Sequence, residues 1–323
     1  MNLDWKNFLT ATHGTIDDID LIATKSEAKT ILCPLSYLGV LSVSGKDAGQ
    51  FLQGQITCNV HDISDSKSSL GAICNPKGRV ITTFLLAKRE ETFLLLLPLE
   101  LLGSVKKRLQ MYVLRSAVTL TDSTDELCLI GRYRTNLAPS PEAFGSTSQQ
   151  QQLTTIDLSG KLSRQLLIAS VDEAKSYWTA QVGAQGFHPA TPELWRSLDI
   201  LEGIPWLDGN TSEEYIPQML NLDILGGISF TKGCYTGQEI VARTHYLGKS
   251  KRQLFVAECD LGHLPAANAA ITDDSTETEQ LVGNVLQAQL SQGGCRMLVV
   301  LQVSEQPYHL KLEGEEVRVL PGQ

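Results

Sequence analysis

The sequence is short of positive charge. Its 323 residues hold 27 Lys and Arg against 36 Asp and Glu, a net charge of −9. A protein that coats duplex nucleic acid carries an excess of cations. Broad, sequence-independent nucleic-acid binding is therefore not expected, although a local basic patch is. Long apolar runs are also missing. The longest, Phe93 to Leu99, falls well below the roughly 18 residues that a membrane-spanning helix needs. The opening MNLDWKNFLTATHG lacks the basic and apolar regions of a secretory leader, and no lipid-anchor motif is found. These features predict a cytoplasmic protein with no membrane partner. Paired cysteines are lacking too. The seven, at 33, 58, 74, 128, 234, 259 and 295, are odd in number and never spaced C-x-x-C. That speaks against a disulfide framework and a zinc knuckle. The six histidines form no H-x-x-x-H or H-E-x-x-H pattern, so no metal site is predicted.

What remains is ordinary for a globular chain: 42% hydrophobic and 20% charged residues, enough for a core and too apolar for whole-chain disorder. The length allows two domains, or three small ones. Residues 31–45 read as a strand entering a turn, and KDAGQFLQ as a short helix stopped by Gly54. Residues 70–74 and 79–88 alternate like strands around the turn NPKG, and Phe93 to Leu97 is a buried strand. Leu101, Leu102, Val105 and Leu109 have helical spacing, and VLRSAVTL at 113–120 reads as a returning strand. ELCLIG and RQLLIA read as strands, 172–182 and PELWRSLDILEG as helices, and the polar run at 140–152 as a loop. The block from 250 onward has several short strands, as in a small barrel or sandwich, interrupted by the acidic run TDDSTETEQ. This order predicts an α+β fold.

The most informative stretch surrounds Cys234. Thr236-Gly237-Gln238-Glu239 has the form of a capping box, with Tyr235 and Ile240 placed as a staple. A helix is predicted to start at Gly237, leaving Cys234 close to its unpaired N–H groups. Residues 232–252 hold Lys232, Arg243, Lys249, Lys251 and Arg252 against Glu239 alone, a locally cationic region in an acidic chain. An anionic ligand would be favoured there, and so would a thiolate at Cys234. On this ground alone Cys234 is either a reactive thiol or, as a lone cysteine more often is, an inert buried one.

Lys232-Gly233-Cys234-Tyr235-Thr236-Gly237-Gln238-Glu239, followed by Val241-Ala242-Arg243, resembles the K-G-C-Y-x-G-Q-E signature of YgfZ-type folate-binding proteins, relatives of the glycine-cleavage T-protein. Gly45 to Thr57 is similar to the family's G-x-D-x-x-x-F-L-Q-G-Q-x-T pattern, Gly71 to Val80 to its K-G-R turn, and Trp195 to Pro205 with Ile216 to Phe230 to its middle region. The resemblance spans about residues 31–255. It implies a three-module, cloverleaf-like ring with a C-terminal small β-barrel: an N-terminal α+β module at 1–120, a second at 121–248 carrying the signature loop, and the barrel at 249–323.

The resemblance also implies tetrahydrofolate as cofactor and a role in supporting iron–sulfur cluster assembly or repair. Iron–sulfur enzymes or assembly factors would be the partners, and tRNA would be reached only indirectly. Carried over, Cys234 is the functional thiol and Lys232 its charge support. Trp195 is the folate-associated Trp, and Arg196 is a cation for the folate's glutamate tail. Tyr235, Gln238, Glu239 and Arg243 complete the cofactor-binding set. Two departures stand out. Leu38 occupies a position where bacterial members have a second Trp, so Tyr37 would have to substitute. Thr82 and Thr83 stand where the T-protein has an Asp pair, and a hydroxyl cannot act as a carboxylate base at neutral pH. A classical aminomethyltransferase is therefore not expected. The alternatives are a folate-dependent aminomethyl- or methyltransferase, or a scaffold in which Cys234 is only structural.

Overall fold

The stretch 31–45 is two strands rather than one, and the break decides the architecture. The computed structural model describes residues 1–13, 30–134, 147–150, 153–158, 160–248, 250–275, 280–291, 293–304 and 308–321. Strand β1 (Thr30–Pro34) and strand β2 (Leu38–Ser44) lie in different sheets. Pro34 has no N–H with which to extend a ladder. The chain turns at once, with Leu38 N–H donating to Leu35 O at 3.2 Å.

The first sheet has the order β3-β4-β5-β2-β6, with β3 at Ser69–Cys74, β4 at Val80–Arg89, β5 at Thr92–Pro98 and β6 at Thr119–Asp122. The helix expected at KDAGQFLQ is present as Ala48–Gln53 (α2), ending at Gly54. The periodic stretch forms α3 (Leu99–Val113), which buries Leu101, Leu102, Val105, Leu109 and Val113. The helix outlasts its expected end. Leu114 takes φ 44° and opens a turn, so only the last part of VLRSAVTL is strand.

The second sheet has the order β11-β1-β7-β10-β9-β8, adding β7 (Leu127–Arg134), β8 (Thr147–Gln150), β9 (Leu153–Leu158), β10 (Ser163–Ser170) and β11 (His188–Pro189). Part of the expected polar loop is therefore strand: β8 pairs with β9 at the sheet edge. An edge position has one unpaired flank and accepts a polar sequence. The rest of that loop, 140–146 and 151–152, lies outside the described residues. Helix α4 (Val171–Ala184) opens with a full capping box between Ser170 and Glu173. Helix α1 (Leu3–His13), which the sequence did not announce, brings Trp5 edge-on to Trp178 at 5.5 Å. These rings, with Leu9, Leu32 and Leu167, form a separate core on one face of the second sheet. The opposite face carries α5 (Pro192–Leu201) and belongs to the large central core.

The last block is a closed barrel in the order β12-β15-β14-β13-β16-β17, with β12 at Arg252–Cys259, β13 at Ala270–Asp273, β14 at Gln280–Ser291, β15 at Gly294–Gln302, β16 at Leu310–Leu312 and β17 at Glu315–Val319. Its strands alternate as pleating requires. On β15 (Gly294–Gln302), Met297, Val299 and Leu301 fill the barrel, while Leu298 and Val300 join the central core. The barrel is thus packed against the rest of the molecule along one side. Among the described residues, no helix is long and apolar enough to cross a membrane.

Candidate functional site

The signature segment is held by the loop that follows α2. Ser229 N–H donates to Thr57 O at 3.0 Å, Thr57 Oγ1 to Gly227 O at 2.7 Å, and Thr236 N–H to Gly54 O at 3.2 Å. Lys232 Nζ donates to Ile56 O at 2.7 Å and Cys58 O at 2.9 Å, and lies 5.1 Å from the Tyr235 ring centre. Burial of this ammonium lowers its pKa to about 8. Tyr235 is buried, and burial, followed by the nearby Cys74 and Cys58, pushes its phenol well up. Lys232 therefore ties the loop down through backbone carbonyls.

Helix α6 (Gln238–Leu247) begins differently from expectation. Its N-cap is Gly237, in the left-handed region at φ 84°, with no side-chain cap. Thr236 does not cap, and Glu239 pairs outward with Arg243 at 3.0 Å. Gln238 Oε1 instead accepts from Tyr235 N–H at 3.3 Å. Tertiary contact displaces the capping box. The NPKG turn fits against the helix start so closely that a Cβ on Gly237 would lie 2.5 Å from Asn75 O, and one on Gly78 would lie 2.8 Å from Ile240 Cβ. Cys234 sits three residues ahead of the cap. Cys234 is the exposed cysteine of the seven; the other six are buried.

A second group of predicted residues lies elsewhere. A cavity of about 490 Å³ opens where the start of α3, the segment after α5 and the barrel meet. Its wall includes Tyr37, Glu100, Arg196, Trp206, Asp208 and Gln287. Arg196 lies over the Tyr37 ring at 4.4 Å, and its buried Nε has no acceptor among the described residues. Tyr37 donates its hydroxyl to Asp199 Oδ2 at 2.8 Å, and Trp206 donates Nε1–H to the same oxygen at 2.9 Å. Burial, then the Asp199 charge, pushes the Tyr37 phenol well up. Asp199 also takes Arg164 Nη1 at 2.5 Å in an ion pair wholly inside the protein.

The predicted residues thus fall in two places. Lys232, Cys234, Tyr235, Gln238, Glu239 and Arg243 belong to the signature loop and helix, whereas Tyr37 and Arg196 line the cavity. Trp195 and Leu38 line neither. Trp195 is 1% exposed, with Gly131 beneath its ring and Arg164 over it at 5.4 Å. Leu38 is a buried residue of β2. Sequence reasoning missed Trp206 and Asp199. The available signal was a Trp placed directly after Pro205, at the start of an irregular segment, where positioned functional side chains are common. A larger cavity of about 590 Å³, beside β12 (Arg252–Cys259) and the end of α5, is walled by none of the predicted residues.

No family model matches the chain. It is 35% identical over 282 residues to the tRNA-modifying protein YgfZ of Colwellia psychrerythraea, covering 84% of this chain and 86% of that one. The protein of that name in Klebsiella pneumoniae is 30% identical over 302 residues, covering 90% and 91%. The chain belongs to the YgfZ family. Among solved structures, the crystal structure of the glycine cleavage system aminomethyltransferase T from Bartonella henselae superposes with a TM-score of 0.72. The match covers 91% of this chain and 86% of that one at 13% identity. The YgfZ-family chain therefore shares the T-protein fold, as the signature and its companion segments implied. At such low identity this likeness speaks for fold alone.

Proposed function

We propose that this YgfZ-family protein is a folate-binding accessory factor of the cytoplasm, supporting iron–sulfur enzymes and, through them, tRNA modification. The observation that carries the reading is Arg196, whose Nε is buried without an acceptor among the described residues, on the wall of a cavity that also presents two aromatic rings. Tetrahydrofolate offers a flat ring system and an anionic tail. Tyr37 and Trp206 would hold the ring, and Arg196 would take a carboxylate. When bound there, tetrahydrofolate would supply one-carbon chemistry. The iron–sulfur cluster is cargo in this reading, and the exposed Cys234 thiol is the group a client protein could reach. The curated relatives are named as tRNA-modifying proteins, which agrees with that endpoint.

The aminomethyltransferase alternative finds less support. Thr82 and Thr83 are fully buried, and their hydroxyls donate to the carbonyls of Thr83 and Pro205 at 2.9 and 2.6 Å. Neither is free for acid–base chemistry. The test is a titration with tetrahydrofolate followed by tryptophan fluorescence and thermal shift. Trp206, the half-buried indole, is the expected reporter. Saturation at 100 times Kd should add about 2.7 kcal/mol of stability by mass action. No response at millimolar ligand overturns the folate reading. Cys234→Ser should still bind yet fail to restore tRNA thiolation in a strain lacking this protein, and full rescue would make the thiol structural.

A further inference from the structure

Three donors converge on one buried carboxylate. Asp199 is 1% exposed. Its Oδ1 accepts from Arg164, and its Oδ2 accepts from both the Tyr37 hydroxyl and the Trp206 indole. Those two rings reach the cavity from different parts of the chain: Tyr37 from the turn before β2, Trp206 from the segment after α5. Neither ring belongs to a helix or strand, so backbone regularity does not fix them relative to each other. The shared oxygen does. Arg164 stands behind, 2% exposed, with Nε and Nη2 unpartnered among the described residues; it supplies the countercharge that a buried carboxylate needs.

We propose that Asp199 is a positioning residue of this cavity, holding Tyr37 and Trp206, and through Tyr37 the guanidinium of Arg196, in the arrangement that receives the ligand. The inference rests on the reading of the cavity as a tetrahydrofolate site. Asp199 itself is not assigned a ligand contact. A carboxylate oxygen accepts two hydrogen bonds from two rings. An amide oxygen does so more weakly, and the amide nitrogen cannot accept at all. Asp199→Asn therefore keeps the volume and removes the charge that orders the wall. Tyr37→Phe keeps the ring and removes one of the bonds.

The full-length chain is tested with tetrahydrofolate as the probe. Asp199→Asn should bind about tenfold more weakly, the scale of losing a hydrogen bond to a charged group, and Tyr37→Phe a few-fold more weakly. Adding Tyr37→Phe to Asp199→Asn should cost nothing further, because both remove one coupled arrangement. In the ligand-free protein, Asp199→Asn should raise acrylamide quenching of tryptophan emission by releasing Trp206. A folded Asp199→Asn protein with wild-type affinity, or losses that add, overturns the proposal. If Asp199→Asn does not fold, Tyr37→Phe decides, since it leaves the Arg164 pair intact; unchanged affinity would refute the positioning role. If the wild type binds no tetrahydrofolate, the cavity reading falls, and unchanged quenching in Asp199→Asn refutes the positioning separately.

Discussion

Cys234 and Lys232 lie two residues apart with opposite surroundings. The thiol is exposed, while burial raises its counterparts, to about 12 at Cys58, Cys74 and Cys128 and to about 11 at Cys295. A thiol reacts as its accessible thiolate. The native protein should therefore release one equivalent of chromophore promptly from an aromatic disulfide reagent, and Cys234→Ser should release none. Seven should react after denaturation, from the seven cysteines of the sequence. Two prompt equivalents from the native protein would contradict the burial pattern. Lys232 gives a prediction of pH dependence. Its folded pKa of about 8 lies below the ordinary 10.5. Between those values the unfolded chain binds more protons at this site, so its contribution to stability rises with pH. The neutral amine keeps two N–H groups for the two carbonyls it already faces. The melting temperature of wild type minus that of Lys232→Met should grow in favour of wild type from pH 8 to pH 10. A constant difference would place the amine in solvent instead.

At the scale of elements, the start of α6 separates two glycines that look alike in the sequence. Gly237 has φ 84° and no room for a Cβ, whereas Gly233 has nothing among the described residues within 4 Å of where a Cβ would stand. Gly237→Ala should destabilise by about 1–3 kcal/mol, the range for a non-glycine residue held in the left-handed region. Gly233→Ala should stay within about 0.5 kcal/mol, as open surface changes do. Chemical denaturation of both variants checks the contrast, and equal effects would mean the turn at 75–79 does not press on the helix. The same element shows how local signals mislead. T-G-Q-E at 236–239 fits a capping pattern and does not cap; S-V-D-E at 170–173 fits it too and does. What differs is the neighbour. Gly54 O takes the N–H of Thr236, while Ser170 lies at a strand end where its hydroxyl meets Glu173 in the first turn of α4.

For the molecule as a whole, the buried thiols set the behaviour at high pH. Burial raises the pKa of Cys33, Cys58, Cys74 and Cys128 above the ordinary 9.0. The folded chain keeps these protons where the unfolded chain sheds them, so stability should fall as pH rises above 9. Several thiols act together against the single amine of Lys232. Calorimetry should show a lower melting temperature at pH 10 than at pH 8, and a flat profile would contradict their burial. The sequence by itself determined the α+β class, the strands and helices with strong apolar periodicity, the barrel-like strand pattern of the last block, and the family, because an eight-residue signature with companion segments survives divergence. It also placed Tyr37 and Arg196 among the site candidates. Only the tertiary structure decided that β1 and β2 serve different sheets, that Trp195 lies in the core while Trp206 faces the cavity, and that Asp199 ties the aromatic wall together. Each of these depends on contacts between residues far apart in the chain. Periodicity reports which face of an element is apolar, but it is silent on which distant backbone or side chain will cover that face.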